Sequence, residues 1–67
     1  MSVYKVVEII GTSTSSWQDA AAVAVDTAKT SLRDLRVAEV VKQDIELSGD
    51  QPLYRVKLSV SFKYQSD

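Results

Sequence analysis

The chain has 67 residues, which allows one domain. This length is below the roughly 70–80 residues at which a single hydrophobic core usually gives a domain enough stability. Cysteine and histidine are both absent, so disulfides and the common zinc sites cannot supplement that core, and association with further copies is the supplement left. A formal net charge of -1 at pH 7 excludes the strong positive field that gathers nucleic acid or anionic membrane.

Membrane insertion and export are not indicated by the sequence. The longest apolar run lies within residues 20–25, far short of the ~18 consecutive apolar residues that cross a bilayer. The first residues alternate like a strand and lack the apolar block of a signal peptide. We therefore expect a soluble, cytoplasmic protein.

The first predicted element is a strand from Val3 to Ile10, rich in β-branched residues and ended by Gly11. Residues 12–16 are all serine or threonine, and either Ser15 or Ser16 could cap a helix that begins near Trp17. A lone glycine between strand and helix also occurs where phosphate approaches a helix N-terminus. The capping turn is the simpler interpretation.

The second predicted element is a helix with one apolar stripe. Its buried-type residues recur at the spacing of a single helix face: Trp17, Ala21, Ala24, Val25, Ala28, Leu32 and Leu35. The many alanines let the helix lie close to a sheet but bury little area. Trp17 could stack on a planar ligand, yet at the first turn of a helix beside a sheet we expect it in the core or in a subunit contact.

Two further strands are predicted, from about Arg36 to Leu47 and from Leu53 to Tyr64. The glycine and proline of residues 48–52 are typical of a hairpin loop, so these strands should be antiparallel neighbours. The third strand alternates apolar and polar residues with period two, which is the strongest structural signal in the chain. Residues 65–67 are predicted to be a frayed tail.

The other two strands carry apolar residues on both faces. In the second strand, Val37, Val41, Ile45 and Leu47 are predicted to share the face opposite to Ala38 and Val40. One helix can cover only one face of a three-stranded sheet, and exposed apolar surface of this kind usually marks an interaction site. Other subunits are the simplest cover.

Chemistry is sparse in this sequence. Acid–base and nucleophilic catalysis most often need histidine or cysteine, and the hydroxyls of residues 12–16 have no histidine to activate them, so we expect no enzyme. Asp44 and Glu46 lie two apart on a strand and project from the same face at roughly 7 Å, near enough to share a hard cation with carboxylates of another subunit. A solvated, charged strand face is the simpler explanation for any one such pair.

Three segments resemble the dodecins: residues 4–13 (YKVVEIIGTS), residues 32–40 (LRDLRVAEV) and residues 60–63 (VSFK). The resemblance covers nearly the whole chain, and its strand-Gly-Thr-Ser-helix opening is the most specific part. It implies one α+β domain over residues 1–67, in which a three-stranded antiparallel sheet wraps one helix in β-α-β-β order. It also implies a hollow homododecamer.

Many dodecins bind flavin between tryptophans with the help of a glutamine, and those positions fall here on Val37 and Arg55. Valine lacks the π-face and most of the contact area of an indole, so we expect weak flavin binding. Val37 and Arg55 resemble instead the branch called calcium dodecins, which implies storage of a divalent cation such as calcium. Flavin sequestration through a changed pocket and a structural shell without ligand remain as alternatives.

Overall fold

The computed structural model describes residues 1–64, and the predicted tail of residues 65–67 lies outside that range. In chain order its elements are β1 (Tyr4–Ser13), α1 (Trp17–Ser31), β2 (Leu35–Glu46) and β3 (Leu53–Lys63). The sheet order is β1-β3-β2 with both pairings antiparallel, so the predicted β-α-β-β arrangement and the β2–β3 hairpin are confirmed. Within the described range, no helix has the length and apolar character needed to span a membrane.

The central strand β3 carries the core. Val56, Leu58 and Val60 are 1–2% exposed on the face toward α1, whereas the residues between them point to the opposite face. The predicted period-two alternation of this strand is therefore confirmed. Three buried aliphatic side chains and the alanines Ala20, Ala24 and Ala28 form most of the core, which is thin for a domain of this size.

Gly11 lies in mid-strand, opposite Val56 and directly beneath α1. A Cβ atom at this position would clash with the carbonyl oxygen of Ala20 and lie 2.8 Å from the Cβ of Ala24. The predicted end of the first strand at Gly11 is thus wrong, since β1 continues to Ser13. The missing side chain lets the strand pass under the helix instead of stopping there.

The helix is closed at both ends by local hydrogen bonds. Ser16 is the N-cap, and its hydroxyl accepts from the backbone N–H of Asp19 at 3.0 Å, which decides between the two predicted caps. At the other end Leu32 is extended, and Asp34 adopts a left-handed φ of 56°. The prediction that the apolar stripe of the helix continues through Leu32 and Leu35 is therefore wrong beyond residue 31, because the chain turns here and Leu35 is the first residue of β2.

Strand β2 contains two irregularities, between Leu35 and Val37 and between Val40 and Lys42. The second inserts Val41 as an extra residue, which reverses the faces of everything after it. Val37 lies opposite Ser61 on the face away from α1, whereas Ile45 lies opposite Tyr54 on the face toward it. The prediction that Val37 and Ile45 share a face is wrong for this reason.

Large apolar side chains remain uncovered on both faces of the sheet, as predicted. Ile10 is 59% exposed and Val37 is 62% exposed on the face away from α1, and Val40 is half exposed on the other. The radius of gyration is 13.6 Å, compared with about 11 Å for a compact chain of this length. The single chain is extended and incompletely packed, which favours association.

Candidate functional site

The face of the sheet that points away from α1 is called the outer face below. On this face the strand register forms two neighbouring rows of side chains, each with one residue from every strand. The first row contains Thr12, Arg55 and Asp44, and the second contains Ile10, Lys57 and Lys42. Five of these six residues line one indentation of about 100 Å³. Most of the polar chemistry predicted from the sequence gathers around it.

An ion pair between Arg55 and Asp44 dominates the first row. The guanidinium Nε donates to Asp44 Oδ1 at 2.7 Å and Nη2 donates to Oδ2 at 2.9 Å, a two-pronged geometry that matches the planar fork of arginine to a carboxylate. Hydrogen bonding from Arg55 holds the pKa of Asp44 below its ordinary value, and the same bond raises the pKa of Arg55. Both oxygens of Asp44 are therefore engaged within the chain.

Trp17 fixes the backbone behind this pair. Its indole Nε1 donates to the carbonyl oxygen of Asp44 at 3.2 Å, and its ring meets Tyr54 edge-on at a centroid distance of 5.2 Å. The side chain packs against the core, which is one of the two positions, core or subunit contact, that were predicted for Trp17. The first turn of α1 is thereby tied to the strand that carries Asp44.

Val37 and Arg55, the two positions that correspond to the flavin pocket, share the outer face but lie far apart. Val37 is opposite Ser61, six residues from Arg55 along β3, which corresponds to about 20 Å. One chain therefore does not bring them together. A pocket that uses both must be built from different copies.

Asp44 and Glu46 share the outer face, two residues apart, as the sequence suggested. Glu46 Oε2 accepts from the hydroxyl of Ser48 at 2.8 Å, and Asp44 is held by Arg55. Residues 1–64 contain no group of three or more acidic side chains placed to hold a metal ion. A cation here would need oxygen ligands from further copies and release of Asp44 from Arg55.

Lys42 and Lys57 are directly opposite each other across β2 and β3, a pairing that sequence reasoning missed. The ammonium of Lys57 lies 3.6 Å from Glu8 Oε1, beyond ordinary hydrogen-bond length. The only sequence signal was the break in alternation at Val40-Val41-Lys42, because a regular strand would have turned Lys42 toward the helix.

These features define a class of small α+β protein in which one alanine-faced helix lies against a three-stranded sheet whose other face bears a charged site and open apolar surface. The family model described as Dodecin matches residues 3–65, nearly the whole chain. The chain belongs to the dodecin family.

Individual relatives agree with this assignment. The chain is 56% identical over 64 residues to the calcium dodecin of Mycobacterium tuberculosis, across 94% of this chain and 90% of that protein. A crystal structure of that calcium dodecin, described as having a novel calcium-binding site, is similar with a TM-score of 0.86 and 52% identity over 98% of this chain and 96% of its own. The dodecin of Streptomyces coelicolor gives a TM-score of 0.90 at 28% identity, covering 98% and 96% of the two chains.

Proposed function

We propose that this protein is a non-catalytic, cytoplasmic storage protein that assembles into a hollow homododecamer and binds calcium in preference to flavin. The observation that carries the proposal is its 56% identity to a protein named calcium dodecin, over 94% of this chain. Its partners are further copies of itself and a small ligand, with no role for nucleic acid or membrane.

The exposed apolar surface supports self-assembly. Val37 and Ile10 on the outer face, and Val40 on the other, are each at least half exposed in the single chain. Burying such side chains against further copies stabilises the assembly by about 25 cal/mol for each Å² of apolar surface removed from water. Homododecamer formation would thus supply the stability that a 67-residue core lacks.

Weak flavin binding is supported by the two residues at the family's pocket positions. Val37 offers no aromatic face on which an isoalloxazine ring could stack. The guanidinium of Arg55 is committed to Asp44 by two hydrogen bonds and is not free to take the place of a glutamine amide. Flavin would have to displace that pairing without the stacking energy that accompanies it elsewhere in the family.

Asp44 and Glu46 are the residues we propose as calcium ligands, with equivalent carboxylates from neighbouring copies. Calcium takes 6–8 oxygen ligands, more than one chain offers at this place. Binding would require Asp44 to exchange its Arg55 partner for the ion, which makes Arg55 a competitor of calcium. Removing that competitor should strengthen calcium binding.

Calorimetric titration of chelator-treated protein with calcium chloride tests both function and ligands. We expect binding by the native protein, at least tenfold weaker binding by Asp44→Asn and Glu46→Gln, and unchanged binding by the control Asp26→Asn, which removes a carboxylate from the helix. Calcium binding that survives both ligand variants would keep the function and reject these ligands. Absence of any calcium heat would contradict the proposed function.

Riboflavin fluorescence distinguishes the alternatives, because stacking quenches the flavin. We expect no quenching by the native assembly at micromolar protein, and recovery of quenching by the double variant Val37→Trp, Arg55→Gln. Quenching by the native protein would support flavin sequestration through a changed pocket. If the assembly binds neither flavin nor calcium, the result would support a structural shell without ligand. Light scattering can measure the number of subunits in that shell.

A further inference from the structure

The indole of Trp17 contacts the strand that carries both proposed calcium ligands. Its Nε1 donates to the main-chain carbonyl oxygen of Asp44 at 3.2 Å. β2 is an edge strand, so one of its sides has no neighbouring strand that would fix the position of its backbone. Within residues 1–64, no other hydrogen bond joins α1 to β2. Trp17 is therefore the polar link between the helix and this edge of the sheet.

The ring of Trp17 is itself held by its neighbours. It meets the ring of Tyr54 edge-on, with the centroids 5.2 Å apart and an interplanar angle of 77°. Tyr54 is the β3 partner of Ile45, the residue between Asp44 and Glu46. An aromatic side chain has few rotatable bonds, so a ring packed in this way keeps its N–H in one direction. The indole thus fixes the stretch of β2 in which both proposed ligands lie.

The serine-rich loop before α1 fixes the place at which the helix begins. The hydroxyl of Ser13, the last residue of β1, donates to Asp19 Oδ2 at 2.7 Å and accepts from the backbone N–H of Ser15 at 2.9 Å. The N-cap Ser16 adds its own bond to the backbone of Asp19. These bonds join the first turn of α1 to the end of β1. They set the position of Trp17, the first residue of the helix.

Calcium binding would place a particular demand on Asp44, because its carboxylate has to leave Arg55. Loss of the two hydrogen bonds at 2.7 and 2.9 Å frees the Asp44 side chain from β3. The bond from Trp17 is made to the main chain, so the carboxylate can change partner while that bond persists. Residues that orient metal ligands through hydrogen bonds typically contribute about 10- to 100-fold to metal affinity.

We propose that Trp17 is a positioning residue of the calcium site: its indole N–H holds the main chain of Asp44 in place while the Asp44 carboxylate moves from Arg55 to the ion. Trp17 does not touch the ion. Because Asp44 is a calcium ligand only under the proposed function, the role of Trp17 rests on that function. Without the N–H, the ligand shifts in the unliganded site and calcium binds more weakly.

Calorimetric titration of the intact, chelator-treated assembly with calcium chloride measures this role. Trp17→Phe removes the N–H, and we expect about tenfold weaker calcium binding. Trp17→β-(3-benzothienyl)alanine replaces the N–H by sulfur and keeps the size of the ring system. This variant is accessible by chemical synthesis, because the chain has 67 residues and one tryptophan. We expect it to lose as much calcium affinity as Trp17→Phe.

Val60→Ala is the matched control for a general loss of stability. Val60 is 2% exposed in the core, so its truncation destabilises the fold. It lies five residues along β3 from Arg55, the partner of Asp44, which corresponds to about 17 Å. We expect its calcium affinity to equal that of the native protein.

A second control combines Trp17→Phe with Asp44→Asn. If Trp17 acts through Asp44, the two losses of calcium affinity are not additive, and the double variant binds calcium as Asp44→Asn alone does. A further loss in the double variant would show that Trp17 acts elsewhere and would overturn its role.

The remaining outcomes separate the role of Trp17 from the proposed function. Native calcium affinity in both Trp17 variants, with weaker binding by Asp44→Asn, overturns the role of Trp17 and keeps the function. Loss in Trp17→Phe alone assigns the effect to ring size, and equal loss in Val60→Ala assigns it to stability; either result overturns the role. Calcium binding that survives Asp44→Asn also overturns it, and absence of calcium binding by the native protein overturns both the role and the function.

Discussion

Replacement of Gly11 by alanine gives a direct test of how closely the helix lies on the sheet. The added methyl group would meet the carbonyl oxygen of Ala20 and the Cβ of Ala24, which sits 2.8 Å away. Nonbonded carbon atoms prefer about 3.5–4.0 Å, so helix and strand must separate by roughly 1 Å. Neither neighbour is the flexible end of a long side chain that could simply swing away.

The loss of stability comes from the packing contacts between helix and sheet that this separation weakens. Ala20, Ala24 and Ala28 are buried against β1 and β3, and a gap of 0.5–1 Å already forfeits about a quarter to a half of each dispersion contact. Overpacking a core typically costs about 1–3 kcal/mol, and we expect the upper end, about 3 kcal/mol. For a domain of this size that corresponds to a fall in Tm of about 12 °C or more.

Gly49→Ala provides the matched control in the β2–β3 loop. A Cβ atom there would meet nothing closer than the carbonyl oxygen of Gln51 at 3.9 Å. Neither glycine has a positive φ, so both substitutions avoid backbone strain and differ only in packing. We expect Gly49→Ala to be neutral or to stabilise the fold by up to about 1 kcal/mol through the unfolded state.

Both variants should be compared by urea unfolding followed by circular dichroism at one fixed protein concentration, since association contributes to the measured stability. Size-exclusion chromatography should confirm that each remains assembled before unfolding. If Gly11→Ala and Gly49→Ala agree within about 0.5 kcal/mol, the close approach of α1 to β1 does not exist in solution.

Three further predictions concern the N-terminal end of α1 and the pair that Asp44 forms with Arg55. Ser16→Ala should lose about 1 kcal/mol in urea unfolding because the helix loses its N-cap, whereas Ser15→Ala should be nearly neutral, and equal losses would reject the assigned cap. Trp17→Phe keeps the ring but loses the bond to the Asp44 carbonyl, so we expect a loss of about 1 kcal/mol and unchanged secondary structure by circular dichroism. Pairing with Arg55 lowers the pKa of Asp44, so ionised Asp44 stabilises the fold above its ordinary pKa of 3.8, and this stabilisation is lost as the pH falls through the lowered pKa. Asp44→Asn should remove this acid-dependent part of the stability, and an unchanged acid profile would reject the pairing with Arg55.

Strand β3 could be predicted because its alternation of apolar and polar residues matches its position in the sheet. It is the central strand, with one face on the core and one outside, and such a strand alternates cleanly along its length. Gly11 misled the prediction because a glycine after a β-branched run normally ends a strand. Whether it ends the strand or passes under a helix depends on a tertiary contact that the local sequence does not contain.

The site was less predictable because it depends on register. A hairpin loop indicates which strands are neighbours, but the pairing of Arg55 with Asp44 also depends on the extra residue at Val41. An unbroken period of two placed Val37 and Ile45 on one face and hid the meeting of Lys42 with Lys57. The resemblance to dodecins indicated that Val37 and Arg55 are the pocket positions. Only the strand register shows that Val37 lies opposite a residue of β3 that is far from Arg55.

The sheet order has a consequence for how the chain acquires its structure during synthesis. β1 and β2 each pair with β3 and not with each other, although β3 is the last of the four elements to be made. Until residues 53–63 have emerged, β1 has no strand partner and α1 lacks the aliphatic side chains of Val56, Leu58 and Val60 to pack against. Folding must therefore wait for the third strand and then proceed through long-range contacts, which are slow to form. During that delay the apolar strands β1 and β2 are free to pair with those of other nascent chains.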